Sequence, residues 1–174
     1  MKISFTPKSQ DRRIVEAFES YKDIWNKDGY RIISSIEKVT GLKFSKDHLE
    51  ATIIDGPTSH SHPLQLSCFG IDKGRKRTLM HELGHIILDD NEIDVLADND
   101  EDLSFVNHKL LDLVLFDIFC EFYNGDEEIA RQHVERDKEI NPQYYSDAWD
   151  WALSMNREER QKLFAKARES KRFP

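Results

Sequence analysis

The sequence predicts an α+β fold in one domain over residues 1–174, and three observations carry that reading. Apolar residues recur at helical spacing near the N-terminus and again through the second half of the chain. Between these stretches lie two short segments, one β-branched and one alternating with period two, bounded by Gly, Pro and Ser. A chain of 174 residues that is 39% hydrophobic, with only 5 Pro and 7 Gly, fits a globular domain and not a fibrous or disordered one.

Helices are expected over about residues 9–41. Ile14, Phe18, Tyr21 and Trp25 make one stripe of a first helix, which Asp28-Gly29 is expected to stop. Ile32, Ile33, Ile36 and Val39 give a second helix its buried face, and Gly41 is placed to cap it in the left-handed conformation. The sheet and a further helix follow over about residues 42–90. Ala51-Thr52-Ile53-Ile54 reads as a strand, Gly56-Pro57-Thr58-Ser59 as a loop, and Leu64-Gln65-Leu66-Ser67-Cys68-Phe69 as a second strand whose alternation suits a half-exposed edge. Such a sheet is small and mixed or antiparallel. A helix runs from about Arg75 to Leu88, followed by an acidic loop. Helices then fill about residues 103–172: a long apolar one from about Ser104 to Tyr123 ended by Asn124-Gly125, a break at Asn141-Pro142, and a charged last helix from Arg157 to Lys171.

Charge narrows the function. The chain has 33 acidic and 25 basic residues, a net charge of −8, and eight of the acids lie between Asp89 and Asp102 with no Lys or Arg among them. The remaining acids balance the bases, so no broad basic face is present to neutralise phosphates, and neither nucleic acid nor an anionic membrane surface is expected as a partner. The first residues lack a signal-peptide pattern and no run of about 18 apolar residues occurs, so a cytoplasmic protein with no membrane span is expected. Cys68 and Cys120 form no CxxC and read as reduced thiols, with a single bridge as the alternative.

His81-Glu82-Leu83-Gly84-His85 carries the chemistry. On a helix with His81 at zero, His85 falls at about 40° and Glu82 at about 100°, while Leu79, Met80, Leu83, Ile86 and Ile87 fill the arc from about 140° to 260°. The apolar arc can pack on a core while both imidazoles point the same way. Two neutral imidazoles at about 2.0–2.1 Å suit zinc, with positions left for a third ligand and a water. Glu82 is then expected to take a proton from the metal-bound water and pass it to the leaving amine, which makes peptide-bond hydrolysis the expected reaction.

The stretch Thr78-Leu79-Met80-His81-Glu82-Leu83-Gly84-His85-Ile86-Ile87-Leu88 resembles the active-site helix of zincin metallopeptidases, most of all the compact cytosolic zincins of the ImmA/IrrE and minigluzincin type. Pro63-Leu64-Gln65-Leu66-Ser67-Cys68-Phe69 is similar to their edge strand, along which substrate lies. The resemblance covers about residues 50–90 and is motif-level elsewhere. It implies a zincin-like fold with the edge strand packed on the HExxH helix, His81 and His85 as zinc ligands, Glu82 as general base, and a peptide or protein substrate paired antiparallel along Leu64, Leu66 and Cys68. It also implies a third ligand, usually a Glu in an ExxAN or ExxxD pattern, on the next long helix. Neither pattern is present here, and Glu121 is the single Glu between Ser104 and Tyr123.

Four residues of that helix compete for the third position: His108, Asp112, Asp117 and Glu121. A wheel centred on Asp112 places His108, Leu115, Phe116, Phe119 and Tyr123 within about 60° of it, so this carboxylate sits in an apolar face where a cation is the natural partner. Asp112 is therefore the expected third ligand, with His108 as the alternative or as the group that orients it. Asp117 and Glu121, one turn apart, are expected to face solvent. Asp89 shares the sector of the histidines but lies about 5.4 Å further along the axis and reads as a loop-initiating acid.

Weaker signals remain. His60 and His62 flank the edge strand and read as loop residues before ligands. Tyr144 and Tyr145 read as packing aromatics before oxyanion donors. Asp98-Asn99-Asp100-Glu101-Asp102 lacks the Gly and Glu of an EF-hand and reads as solvated loop before calcium site. Trp25, Trp149 and Trp151 read as core or groove-lining. The acidic run next to the HExxH helix suggests a bias toward basic substrates or a lid. The missing third-ligand Glu keeps a second expectation open, a zincin-fold regulatory or protein-binding module with little turnover.

Overall fold

The computed structural model describes residues 1–70, 72–96, 102–140 and 143–173. They form two compact units, one of Met1–Lys38 with Leu42–Asp90 and another of Val39–Gly41 with the residues from Asn91 onward.

In the first unit, strand β1 (Lys2–Pro7) leads into helix α1 (Arg12–Thr40), and β2 (His48–Ile54) returns parallel to β1, with Lys2 opposite His48 and Pro7 opposite Ile53. Strand β3 (Gln65–Ser67) adds to the far side of β2, also parallel, so the order is β1-β2-β3. The sheet is parallel where the sequence favours a mixed or antiparallel one; α1 is the crossover that returns the chain to the same end between β1 and β2, and the non-helical residues 55–64 do so between β2 and β3. β1 has no counterpart in the sequence reading. Its inward residues, Ile3 and Phe5, are too few to stand out as alternation.

α1 is one helix where two are expected. Ile14, Ala17, Tyr21, Ile24, Ile32 and Ile36 continue a single buried stripe through it. Gly29 does not end the helix. A Cβ at that position would lie 2.8 Å from Cδ2 of Trp25, so the absent side chain is what lets the indole lie against the helix backbone. The neighbouring Asp28 pairs at 2.5 Å with Lys76 of helix α2 (Asp72–Asp90). Gly41 caps α1 as expected, with φ +66°, and Arg168 donates to the Thr40 carbonyl at 3.2 Å, one of the acceptors that a helix end leaves open.

The second unit runs β4 (Asp94–Val95), α3 (Leu103–Phe122), α4 (Glu127–Ile140), α5 (Gln143–Leu153), α6 (Arg157–Ser170) and β5 (Arg172–Phe173). α3 packs against α4, α5 and α6, which explains its apolar residues on every side. Asp102 caps its start by accepting from the Ser104 N–H at 2.8 Å. Its end closes with Gly125 donating to the Cys120 carbonyl at 2.7 Å through left-handed Asn124 and Gly125. α6 starts with a capping box of Asn156 and Glu159. β4 pairs in parallel with β5, so part of the expected acidic loop is strand. Asp98, Asn99, Asp100 and Glu101 lie outside the described residues, as do Asn141 and Pro142. No described helix is long and apolar enough to cross a membrane.

Gly29→Ala trades a gain of about 1 kcal/mol in helix propensity against overpacking of the Trp25 ring at about 1–3 kcal/mol. A net loss of about 1 kcal/mol is expected in urea unfolding. In a Trp25→Ala background the same change is expected to stabilise by about 1 kcal/mol, and the same sign in both backgrounds would refute the packing role.

Candidate metal centre

The HExxH segment lies inside α2, as the chemistry requires. Leu79, Met80, Leu83, Ile86 and Ile87 are all withdrawn from solvent, at most 2% exposed, and fix the rotation of the helix. The imidazoles of His81 and His85 follow from that rotation: their ring centroids are 5.0 Å apart at 68°. His81 and Glu82 are buried and His85 is half-buried. Tyr21 of α1 belongs to this environment. Burial pushes its phenol well up, with a lowering contribution from Arg75 and a raising one from Glu82, so it stays a neutral donor. Its hydroxyl bonds the Ser67 carbonyl at 3.3 Å.

His108 lies on α3 in the second unit. His81 and His85 offer two imidazole ligands from one helix, and His108 is a candidate for a third. The donor set suits a borderline metal such as zinc. His108 is prepared for that role by its own helix: Nδ1 lies 2.6 Å from the Ser104 carbonyl, which can only accept, so the proton sits on Nδ1 and the lone pair on Nε2. Burial lowers its pKa and keeps the ring neutral. The ring of Tyr145 packs on it at 4.2 Å. Tyr145 thereby has a place beside the site as a packing group, while the side chain of Tyr144 lies outside the described residues.

Asp112, the expected third ligand, lies on the same helix in the second unit. Its carboxylate is 0% exposed, and neither oxygen has a hydrogen-bond partner among the described residues. Burial, and then the charge of Asp137, hold its pKa well above the usual carboxylate range. The wheel correctly finds an apolar environment, but such a carboxyl escapes the cost of burial by keeping its proton. Asp117 does not face solvent either. It is 3% exposed and bound to Arg160 at 2.7 Å and Arg157 at 3.6 Å, partners too far along the chain for a wheel to reveal. Glu121 is half-buried in the last turn of α3.

The expected substrate edge is covered by the chain itself. Leu64, Leu66 and Cys68 are at most 5% exposed, so their side chains belong to the core, and Cys68 Sγ bonds Asp55 Oδ1 at 3.6 Å. β3 is the edge of the sheet, yet its outward backbone groups are taken. Gln65 exchanges both hydrogen bonds with His60 at 2.8 Å, the Ser67 N–H donates to Ser59 Oγ at 2.9 Å, and the Ser67 carbonyl accepts from Tyr21.

Asp89 is within α2 and not in a loop, and pairs with His62 Nδ1 at 3.1 Å. Sequence reasoning weighs each of these two residues alone. Their separation of 27 positions hides the pair. Both cysteines are unbridged. Burial raises the thiol of Cys68, aided by Asp55, and pushes that of Cys120 up to about 11, so neither is a ready thiolate. A scan against protein-family models, a search of curated proteins and a search of solved structures each found no match.

A carboxyl whose folded pKa is raised stabilises the fold below its unfolded pKa and loses that contribution as pH rises toward the folded value. Metal-free Asp112→Asn is therefore expected to melt higher than the metal-free wild type at neutral pH, with the gap closing toward the acid side of the ordinary Asp range. A gap that does not change with pH would show that Asp112 is not the titrating group.

Proposed function

We propose that this protein is a zinc-dependent metallopeptidase of zincin-like architecture, cleaving peptide or protein substrates in the cytoplasm. The observation that carries the reading is the HExxH helix itself, with His81 and His85 one turn apart on α2, their ring centroids 5.0 Å apart, and Glu82 buried beside them. His81, His85 and His108 would hold the ion. When bound, zinc supplies Lewis acidity, polarising a carbonyl and making water easier to deprotonate.

The chain's own residues do the rest. Glu82, buried next to His81, accepts one proton from the attacking water and returns it to the amide nitrogen as the carbon–nitrogen bond breaks, leaving a carboxylate and an amine. Ser104 fixes the tautomer of His108, and Tyr145 restrains its ring. The unbridged Cys68 and Cys120 support a reducing compartment. One observation favours a second reading, a protein-binding module with little turnover: the outer edge of β3 is closed by the chain itself.

Glu82→Gln is expected to keep the metal and to lower peptide cleavage by about 10²- to 10⁴-fold, the usual worth of a general base. Partner binding that is unchanged by Glu82→Gln, with no cleavage by either chain, would favour the second reading. His81→Ala and His108→Ala are expected to lose the equimolar zinc measured by elemental analysis, and Asp112→Asn to retain it. Zinc retained in His108→Ala would remove His108 from the site.

A further inference from the structure

An extended peptide adding to β3 needs the outward groups of alternate residues, the N–H and C=O of Gln65 and of Ser67. All four are engaged by this chain: two by His60, one by Ser59 Oγ and one by the Tyr21 hydroxyl. The His60 contact is antiparallel, the direction expected of a substrate strand. Ser67 Oγ further donates to the Gly56 carbonyl at 2.5 Å, holding the start of the same loop. At its other side the loop is fastened by His62, whose Nδ1 meets Asp89 Oδ2 at 3.1 Å. Asp89 is one turn beyond His85 on the helix that carries the histidine pair.

We propose that residues 59–62 are an autoinhibitory strap that occupies the substrate edge of β3 and is latched to the metal-bearing helix by His62 and Asp89. This rests on the peptidase reading. The strap lies in the register of an incoming peptide, so access requires its displacement, and the latch sets how often that happens. Its fastenings are weak one by one. An exposed side-chain pair or a single hydrogen bond shifts such an equilibrium by no more than about fivefold to tenfold, so the strap can be stable at rest and still yield to a substrate that replaces its bonds. The His62 and Asp89 side chains are 47% and 59% exposed, so changing them removes the latch without opening the core.

The test compares the zinc-loaded wild type with His62→Ala, Asp89→Ala and Ser59→Ala. It uses hydrogen exchange of the Gln65 and Ser67 amides, zinc content, and cleavage of casein as an unfolded protein probe. Each variant is expected to keep its zinc, to exchange these amides faster and to cleave casein up to about fivefold faster, the factor that one such contact is worth. Unchanged exchange in all three variants would overturn the latch. Faster exchange with cleavage equal to or below that of an active wild type would overturn the strap and leave the peptidase reading standing. Faster exchange with full zinc and no cleavage by any of the four proteins would overturn the peptidase reading, and the strap with it.

Discussion

From Arg77 to Leu88 helix α2 is almost entirely withdrawn from water, and it takes two imidazoles and a carboxylate with it. Polar groups in that position are costly unless something pairs with them, and the cost is least when the imidazoles are neutral. The apolar side of the helix, from Leu79 through Ile87, is what imposes the burial. The rotation that seals those residues also fixes where His81, Glu82 and His85 point. Substitutions on the apolar side would therefore be felt at the chemical side, since the helix cannot turn without exposing one or the other.

The second unit resolves the same problem in two ways on one helix. Asp117 is buried against Arg160 at 2.7 Å, and this guanidinium is 4% exposed and also lies over the ring of Phe116 at 5.4 Å. Asp112, little more than one turn earlier, has no hydrogen-bond partner among the described residues, and burial raises its pKa well above the usual carboxylate range. Breaking a buried pair such as the first typically costs about 3–5 kcal/mol because the surviving charge is stranded, whereas the second has no partner to lose. Two aspartates of the same helix thus meet burial differently through what faces them.

Much of this was legible in the residues, and the rest was not for identifiable reasons. The HExxH helix, the left-handed cap at Gly41 and both ends of α3 follow from periodicity and capping chemistry that act within a few residues. The failures are all of longer range. Gly29 carries the composition of a stop signal, but its role depends on where the Trp25 ring lies. The alternation of Leu64, Leu66 and Cys68 gives the face of the strand correctly and says nothing of what lies over its edge. For the third ligand the wheel groups His108 with Asp112 on one side of α3, and spacing alone cannot rank two residues one turn apart. The parallel order of β1, β2 and β3 depends on how the chain between strands crosses the sheet, which strand composition does not encode.

The short β4–β5 pairing joins Asp94 and Val95 to Arg172 and Phe173 across most of the second unit's sequence. Only a few hydrogen bonds and the buried Phe173 ring hold it, with Trp151 edge-on at 6.1 Å. The four helices between the two strands are thereby enclosed in a loop that closes on itself, which acts as a clasp. Loop closure of this span is entropically expensive to form first and cheap once the helices are packed. The clasp is therefore expected to fasten late in folding, as a consequence of helix packing and not its cause.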